Sequence, residues 1–279
     1  MRYRISHLTS YEYSEPVSIC HNEARLVPLA TSHQRPLTTR ISIEPTASVL
    51  VEDRDYFGNV THFFTLQEAH LRLAVTAVSE VEVNPYEAPA LSLSMAWEAV
   101  RDRARSDRSA EGLRAFEYSL ASAHPRPSPL LLEYASSTFS PKRPLLEAVY
   151  ELTKRIHTEF RYLPGSTTVS TPVEEVFEKR QGVCQDFAHL EIAMLRGLGL
   201  PACYVSGYVN TAPAPGQPKL QGADASHAWI SVWCPGFGYV DFDPTNGTLP
   251  RDEHITLARG RDFADVSPIR GVILGGGDH

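Results

Sequence analysis

A cysteine, a histidine and an aspartate occur in this order in the second half of the chain, as Cys184, His227 and Asp243. A thiolate is a strong nucleophile, an imidazole can take up the thiol proton and later protonate a leaving amine, and a carboxylate can orient the imidazole. Each residue alone has a simpler interpretation, as a buried cysteine, a strand histidine or a turn aspartate. Together, within about sixty residues, they predict a nucleophile, base and orienting acid that act on an amide carbonyl.

The residues around Cys184 predict where its sulfur lies. A loop containing Gly182 precedes it, and a helical pattern follows, with apolar residues at Phe187, Leu190, Met194 and Leu198. A thiol at a helix N-terminus faces unpaired backbone N–H groups and the positive end of the helix dipole, and both favour the thiolate. The charge of Asp186 would oppose the thiolate unless its carboxylate caps N–H groups in the same turn.

His227 and the candidate acids lie in segments that alternate like strands. Trp229 and Ser231 share a strand face with His227, because side chains two residues apart point the same way. Asp243 stands at the end of the next strand, just before a turn signal. Asp241 lies on the same face as Asp243, so strand periodicity does not choose between the two acids.

The elements that must position these residues fall into two parts. Residues 3–7, 41–44, 71–76 and 78–83 alternate between apolar and polar types, with turn signals between the segments. Short strands at this spacing predict a β-rich, sandwich-like N-terminal domain over residues 1–90.

The rest of the chain changes pattern. Residues 91–144 are predicted as a helical and irregular connection, in which residues 123–144 are irregular because they contain five prolines. Residues 145–270 are predicted as a catalytic core of helices followed by strands. This order favours an α+β fold over a doubly wound sheet. We predict a disordered tail over 271–279 and a loop over 211–224 that is either a lid or an inert insertion.

Composition narrows the function classes. The formal net charge is -7 and no cluster of basic residues occurs, so nucleic acid is not an expected partner. The chain starts without an apolar leader and has no run of about 18 apolar residues, so no membrane partner is expected. The four cysteines are scattered without a CxxC motif, which indicates a reducing, cytoplasmic compartment that suits a free thiol.

Three motifs resemble the core of bacterial transglutaminase-like proteins, a group that includes candidate cysteine proteases. They are residues 182–188 (GVCQDFA), 226–229 (SHAW) and 243–246 (DPTN). Residues 23–28 and 55–59 resemble the β-rich domain that often precedes this core. The resemblance covers nearly the whole chain, and the three core motifs in this order are highly specific.

The resemblance implies a papain-like core, in which a helix bearing the cysteine packs on an antiparallel sheet bearing the histidine and the acid. It selects Asp243 as the acid, because the family's acid belongs to the Asp-Pro-Thr segment. The backbone N–H of Cys184 is the expected first oxyanion donor, and Tyr162 lies where related enzymes place an aromatic donor. Trp229 and Asp186 are candidates to line the substrate channel, although strand tryptophans are more often core residues.

Alternatives remain at the level of sequence. A zinc site of Cys184, His189 and His227 is disfavoured, because positions 184 and 189 point in different directions on one helix, so neither a metal nor another cofactor is expected. The fold can also serve as a non-catalytic binding module. The expected substrate is a peptide or protein amide, and protease or amidase action is favoured over cross-linking. A homodimer formed through the N-terminal strands is a further possibility that the sequence leaves open.

Overall fold

The computed structural model describes residues 1–85, 89–210 and 226–277. The predicted lid or insertion, 211–224, lies outside the described residues. The chain forms two compact units. The first contains residues 1–85, 255–258 and 266–279, and the second contains residues 86–254 and 259–265. The architecture is α+β, as predicted from the order of the elements.

The first unit is an antiparallel sheet with the strand order β2-β5-β1-β4-β3, to which β12 is added beside β1. Its strands are β1 (Arg2–Ala24), β2 (Gln34–Glu44), β3 (Val49–Arg54), β4 (Val60–Leu66), β5 (His70–Val83) and β12 (Ile269–Gly275). The long strand β1 pairs with β5 through its first half and with β4 and β12 through its second half. The predicted sandwich-like domain is therefore a single six-stranded sheet.

Alternating side chains give this sheet its core. Cys20, Ala24, Phe64, Leu66 and Leu73 are almost completely buried and belong to one apolar cluster. They come from neighbouring strands and repeat with the period of two that one sheet face requires. Burying this face supplies the main stabilisation of the unit, at about 1.5–3 kcal/mol for each large side chain.

Two sequence predictions about irregular segments are wrong. Residues 271–275 were predicted to belong to a disordered tail, but they belong to β12, which pairs with residues 17–24 of β1. Residues 123–144 were predicted to be irregular because they contain five prolines, but a helix spans Pro129–Ser136. Proline suits the first position of a helix, where its missing N–H would have no partner, so Pro129 starts the helix instead of breaking it.

The second unit carries the helices. They are α1 (Trp97–Ser106), α2 (Ala110–Glu117), α3 (Pro129–Ser136), α4 (Leu145–Glu159), α5 (Val173–Lys179), α6 (Cys184–Gly197) and α7 (Phe263–Val266). Its strands are β6 (Arg161–Tyr162), β7 (Gln181–Gly182), β8 (Ala202–Val209), β9 (His227–Cys234) and β10 (Gly238–Phe242). A further strand, β11 (His254–Gly260), begins and ends in this unit, whereas its residues 255–258 are grouped with the first unit. The larger sheet has the order β10-β9-β8-β11, and β6 and β7 form a short parallel pair.

Helix α6 and strand β9 form the centre of this unit. Residues 186–196 of α6 are buried throughout, and every residue of β9 is buried. The helix packs on β9 and β8, while α3, α4 and α5 pack around the helix. This packing fixes the start of α6 against the start of β9, where Cys184 and His227 lie. Within the described ranges, no helix is long and apolar enough to cross a membrane.

Candidate active site

Cys184 is the first residue of α6 and is partly exposed, unlike the other three cysteines, which are buried. The carboxylate of Asp186 accepts the backbone N–H of Val183 at 2.8 Å and the hydroxyl of Thr167 at 2.6 Å. This is the capping role that would keep the Asp186 charge from opposing a thiolate. Burial raises the pKa of Asp186, against the lowering effect of the two hydrogen bonds.

Gly182 makes this cap sterically feasible. A Cβ at this position would lie 2.8 Å from Oδ2 and 2.9 Å from Cβ of Asp186. Any larger residue would therefore push the capping carboxylate away from the Val183 N–H. The glycine of the Gly-Val-Cys sequence is thus required by close packing against the first turn that carries Cys184.

His227 and Asp243 form a buried hydrogen-bonded pair. Nε2 of His227 lies 2.8 Å from Oδ2 of Asp243, and neither side chain is exposed. Since an ionised carboxylate only accepts hydrogen bonds, Nε2 carries the proton that it donates. The other ring nitrogen, Nδ1, is buried and makes no conventional hydrogen bond to any residue that the structure describes. In the neutral ring, Nδ1 is therefore the atom that can accept a proton.

Electrostatics favour the charged forms of both partners. Burial alone would lower the pKa of His227, but the charge and hydrogen bond of Asp243, together with the neighbouring Cys184 sulfur, raise it to about 10. Burial alone would raise the pKa of Asp243, but His227 and His254 hold it well below its ordinary value. At neutral pH, the site thus holds a carboxylate and favours an imidazolium next to the sulfur.

His254 is a site residue that the sequence analysis missed. Its Nε2 lies 3.0 Å from Oδ2 of Asp243, the same oxygen that His227 contacts. The amide nitrogen of Asn246 donates to this oxygen too, at 2.7 Å. His254 begins β11, and its ring packs edge-on against Trp229. No motif or spacing pointed to it, and strand pairing does not predict the contact, because Asp243 follows β10 and His254 begins β11, which lie at opposite ends of the sheet order.

A tight turn holds Asp243 in place. Its Oδ1 accepts the backbone N–H groups of Thr245 and Asn246, at 2.9 and 3.2 Å. The ring Nδ1 of His157, from α4, donates to the carbonyl of Thr245 at 2.8 Å. Gly247 closes the turn with a φ of +65°, where a Cβ would lie 2.9 Å from the His157 ring. The Asp-Pro-Thr-Asn-Gly sequence is thus a structural clamp for the carboxylate.

Asp241, the competing acid, has other partners. Ser231 and the indole N–H of Trp229 donate to its carboxylate, the latter at 3.2 Å. Arg259 lies 3.3 Å from the same carboxylate. Among the described contacts, only Asp243 bonds to His227.

The remaining candidate site residues are Tyr162, Trp229 and Asp186, and each has different contacts. Tyr162 belongs to β6 and is paired with Gly182 in β7, two residues before Cys184. Trp229 is fully buried, and Asp186 is almost fully buried. Their contacts are those of a core tryptophan and a helix cap. The oxyanion role of Tyr162 and the channel-lining roles of Trp229 and Asp186 stay predictions.

The structure does not bring the alternative zinc ligands together. His189 accepts the backbone N–H of Phe263 at 3.1 Å and stacks on His124, with ring centroids 5.1 Å apart. Burial, with His124 nearby, lowers the pKa of His189 to about 3. The described residues contain one cluster with metal-ligand atom types, His227, Asp243 and His254. The short distances between the ring nitrogens and the carboxylate in this cluster are explained by the hydrogen bonds that His227 and His254 donate to Asp243.

The fold and these motifs define a class of protein. Residues 3–82 match the bacterial transglutaminase-like N-terminal region, and residues 133–244 match the transglutaminase-like superfamily. The chain belongs to the transglutaminase-like superfamily. An uncharacterized protein of Mycobacterium tuberculosis is 43% identical over 98% of this chain and 87% of its own length. One from Mycobacterium leprae is 32% identical over 99% of this chain and 94% of its own.

Two further comparisons concern proteins whose names refer to an enzymatic activity. A crystal structure of a candidate cysteine protease from Cytophaga hutchinsonii superimposes with a TM-score of 0.76 at 22% identity, covering 99% of this chain and 86% of that one. This likeness establishes the shared fold. A protein-glutamine gamma-glutamyltransferase of Pseudomonas aeruginosa is 32% identical over 41% of this chain and 19% of its own length.

Proposed function

We propose that this protein is a thiol enzyme that acts on amide bonds through a thioester on Cys184. The observation that carries the proposal is the hydrogen bond between Nε2 of His227 and Oδ2 of Asp243, which leaves Nδ1 as the free nitrogen of a ring that interacts with the partly exposed Cys184 thiol. A base whose tautomer is fixed by a buried carboxylate is the arrangement that activates a nucleophile. Membership in a superfamily that is generally enzymatic supports the same reading.

The proposed reaction has two steps. The Cys184 thiolate attacks the amide carbonyl carbon, a C–S bond forms, and the tetrahedral oxyanion is held by the backbone N–H of Cys184. The hydroxyl of Tyr162 is the candidate second donor. The C–N bond then breaks as Nδ1 of His227 gives its proton to the departing amine. In the second step, water or an amine attacks the thioester carbonyl carbon, and Nδ1 takes up the proton that the attacking group loses. The C–S bond then breaks, which releases the acid or the new amide and restores the Cys184 thiolate beside the His227 imidazolium.

Hydrolase and acyltransferase activity differ only in the group that attacks the thioester. We propose a peptidase or amidase ahead of a glutamine acyltransferase, since cross-linking requires an additional site for an amine. The similarity to a protein-glutamine gamma-glutamyltransferase keeps transfer as the second candidate. The substrate would be a peptide or protein amide, processed in a compartment where thiols stay reduced.

Alkylation across a pH range tests the activated thiol. We expect iodoacetamide to label Cys184 at pH 5–7, below the ordinary free-thiol pKa of ~8.5, because an imidazolium favours the thiolate. In a His227→Ala variant, labelling of Cys184 should require a pH at least about one unit higher. Mass spectrometry of tryptic peptides identifies the labelled cysteine. The buried Cys203 serves as an internal control that stays unlabelled in both proteins.

Peptide amides and glutamine-containing peptides, with and without a primary amine, then separate the two activities. Release of ammonia or amine without incorporation of the added amine indicates hydrolysis, and stable incorporation indicates transfer. Both should vanish in a Cys184→Ala variant. If wild type and His227→Ala have equal alkylation profiles, the proposal of a thiol enzyme is refuted. The alternative, a non-catalytic binding module, would then be favoured.

A further inference from the structure

Arg180 occupies a backbone position that favours glycine. It follows the last residue of α5 and has a φ of +52° and a ψ of +36°, in the left-handed region. A Cβ makes this conformation unfavourable, and glycine is the usual residue where a helix ends in this way. Lys142 is the only other non-glycine residue with a positive φ among those that the structure describes. The position implies that contacts of the Arg180 side chain offset the cost of its backbone.

The guanidinium of Arg180 lies over three aromatic rings. Its Cζ is 4.2 Å from the ring centroid of Phe177, 4.6 Å from that of Phe160 and 5.1 Å from that of Tyr134. A planar cation is attracted to ring faces at such distances. Nη1 also lies 3.6 Å from the carboxylate of Glu159. These contacts hold Arg180 against α3, α5 and the end of α4.

The backbone of Arg180 begins the short ladder that precedes the nucleophile. Its carbonyl accepts the N–H of Arg161 at 2.8 Å. Strand β6 then pairs with β7, and Tyr162 lies opposite Gly182. Cys184 follows two residues later, at the start of α6. One ladder therefore sets the position of Tyr162 relative to the backbone N–H of Cys184, the two groups proposed to hold the oxyanion.

The rings beneath Arg180 also reach the helix that carries the nucleophile. The ring centroid of Phe187, in the first turn of α6, is 6.1 Å from that of Phe160 and 6.5 Å from that of Tyr162. Phe160 therefore contacts both Arg180 and the turn that begins with Cys184. The side chain of Arg180 and its backbone are thus linked to the same two oxyanion donors by separate routes.

We propose that Arg180 is a positioning residue for the acylation step, which fixes Tyr162 relative to the backbone N–H of Cys184. This inference rests on the thioester chemistry proposed above. Arg180 acts through the ladder and the aromatic rings, whereas formation of the thiolate depends on His227 and on the helix start. The loss of Arg180 should therefore slow only those reactions of Cys184 that pass through an oxyanion.

Two reagents distinguish the oxyanion donors from the thiolate. Iodoacetamide reacts with a thiolate at a saturated carbon, so no oxyanion forms. p-Nitrophenyl acetate reacts through a tetrahedral oxyanion: the sulfur forms a C–S bond to the carbonyl carbon, and p-nitrophenolate leaves as the C–O bond breaks. The burst of p-nitrophenolate absorbance measures the acylation rate, and mass spectrometry locates the acetyl group on Cys184.

Arg180→Gly removes the side chain but permits the left-handed backbone. Loss of a whole oxyanion donor typically costs about 10²–10³ in rate, so displacing the donors should slow acylation at least about tenfold. The alkylation rate at pH 6 should stay within about twofold of wild type, because the thiolate is still formed. Arg180→Lys, which retains a cation over the rings, should acylate faster than Arg180→Gly.

The matched control is Arg155→Met. The Cζ of Arg155 also lies over the ring of Tyr134, at 4.0 Å, and its guanidinium donates to Thr138 at 2.6 Å, but Arg155 is not part of the ladder. Its loss should lower the Tm and leave the ratio of acylation to alkylation unchanged. Circular dichroism establishes that each variant is folded.

If Arg180→Gly is not folded, Arg180→Lys decides, since a lysine loses the planar stacking and should acylate at least about threefold more slowly than wild type. The positioning role is overturned if the folded Arg180 variant keeps the wild-type ratio of acylation to alkylation, or if Arg155→Met lowers that ratio equally. A wild type without a burst and with ordinary thiol alkylation would refute the thiol enzyme itself, and this inference with it.

Discussion

Oδ2 of Asp243 accepts hydrogen bonds from three side chains, those of His227, His254 and Asn246. Three N–H donors on one oxygen stabilise the ionised carboxylate and fix its direction. Because the carboxylate in turn fixes the tautomer of His227, we expect His254 to affect the proposed chemistry through its hydrogen bond to Asp243. His254 is therefore a positioning residue.

Replacing His254 by phenylalanine should weaken the reactivity of Cys184. The aromatic ring keeps the packing against Trp229 but donates nothing to Asp243. A hydrogen bond to a charged group contributes about 1.5–3 kcal/mol, so we expect the alkylation rate at pH 6 to fall about tenfold or more. His254→Gln, which retains an N–H donor, should recover most of the rate. A folded His254→Phe protein that reacts like wild type would exclude the positioning role.

At the scale of the element, α6 combines a reactive end with a completely buried body. Glu191 lies two turns after Cys184 and is fully buried. Its Oε1 accepts the hydroxyl of Thr153 at 2.7 Å, whereas Oε2 has no partner among the described residues. Burial raises the pKa of Glu191 well above its ordinary value, and the nearby charge of Asp243 acts in the same direction. This shift favours the neutral form of Glu191 in the folded protein.

This raised pKa predicts how stability depends on pH. The unfolded chain loses the Glu191 proton near its ordinary pKa of ~4.3, whereas the folded chain keeps it. The contribution of Glu191 to the free energy of unfolding is therefore fully present below the unfolded-state pKa. It is lost as pH rises towards the pKa of Glu191 in the folded protein. Glu191→Gln mimics the neutral form, so its free energy of unfolding relative to wild type should increase by up to about 1.4 kcal/mol per pH unit above pH 5.

Urea unfolding of both proteins between pH 5 and 8 measures this difference. Comparing the two proteins cancels the opposite contribution of Asp243, whose lowered pKa stabilises the fold above its ordinary pKa and is lost as pH falls. Glu133→Gln, at an exposed position of α3, is the control and should show no pH-dependent difference. A pH-independent difference for Glu191→Gln would mean that Glu191 is ionised in the folded state.

At the scale of the whole molecule, the chain returns to its first sheet at its end. β12 pairs with residues 17–24 of β1, and its Ile269 and Ile273 pack against the apolar core of the first unit. Its pairing partners lie about 250 residues earlier in the chain. The N-terminal unit is therefore completed by the C-terminal segment and is not a contiguous domain.

A chain that ends after Pro268 should have a destabilised first unit. The shortened chain loses the hydrogen bonds of β12 to β1 and the buried surface of the two isoleucines. Together these losses should lower the free energy of unfolding by about 2–4 kcal/mol. Amide hydrogen exchange should accelerate in residues 17–24 of β1, while α6 should retain its protection. A chain that ends after Gly277 retains β12 and is the control. Unchanged exchange in β1 of the shorter chain would show that the sheet is stable without its sixth strand.

Much of this protein follows from local sequence. Period-two alternation predicted parts of β1, β2 and β5 in the first unit but not β3, β4 or β12, and the helical pattern after Gly182 predicted α6 with Cys184 at its start. The three core motifs, through their resemblance to known proteins, indicated the superfamily and selected Asp243 over Asp241. These features depend on residues close in sequence, or on motifs that stay contiguous.

Tertiary structure decided the features that join distant segments. His254 has no motif, and it reaches Asp243 although β10 and β11 lie at opposite ends of the sheet order, so the contact depends on how the chain between the two strands folds back. β12 has a glycine-rich end that indicated disorder, and only its ladder to β1 makes it a strand. Local sequence patterns do not specify the partner of a strand. The sequence by itself therefore determined which residues can react, and the tertiary structure decided which residues hold them in place.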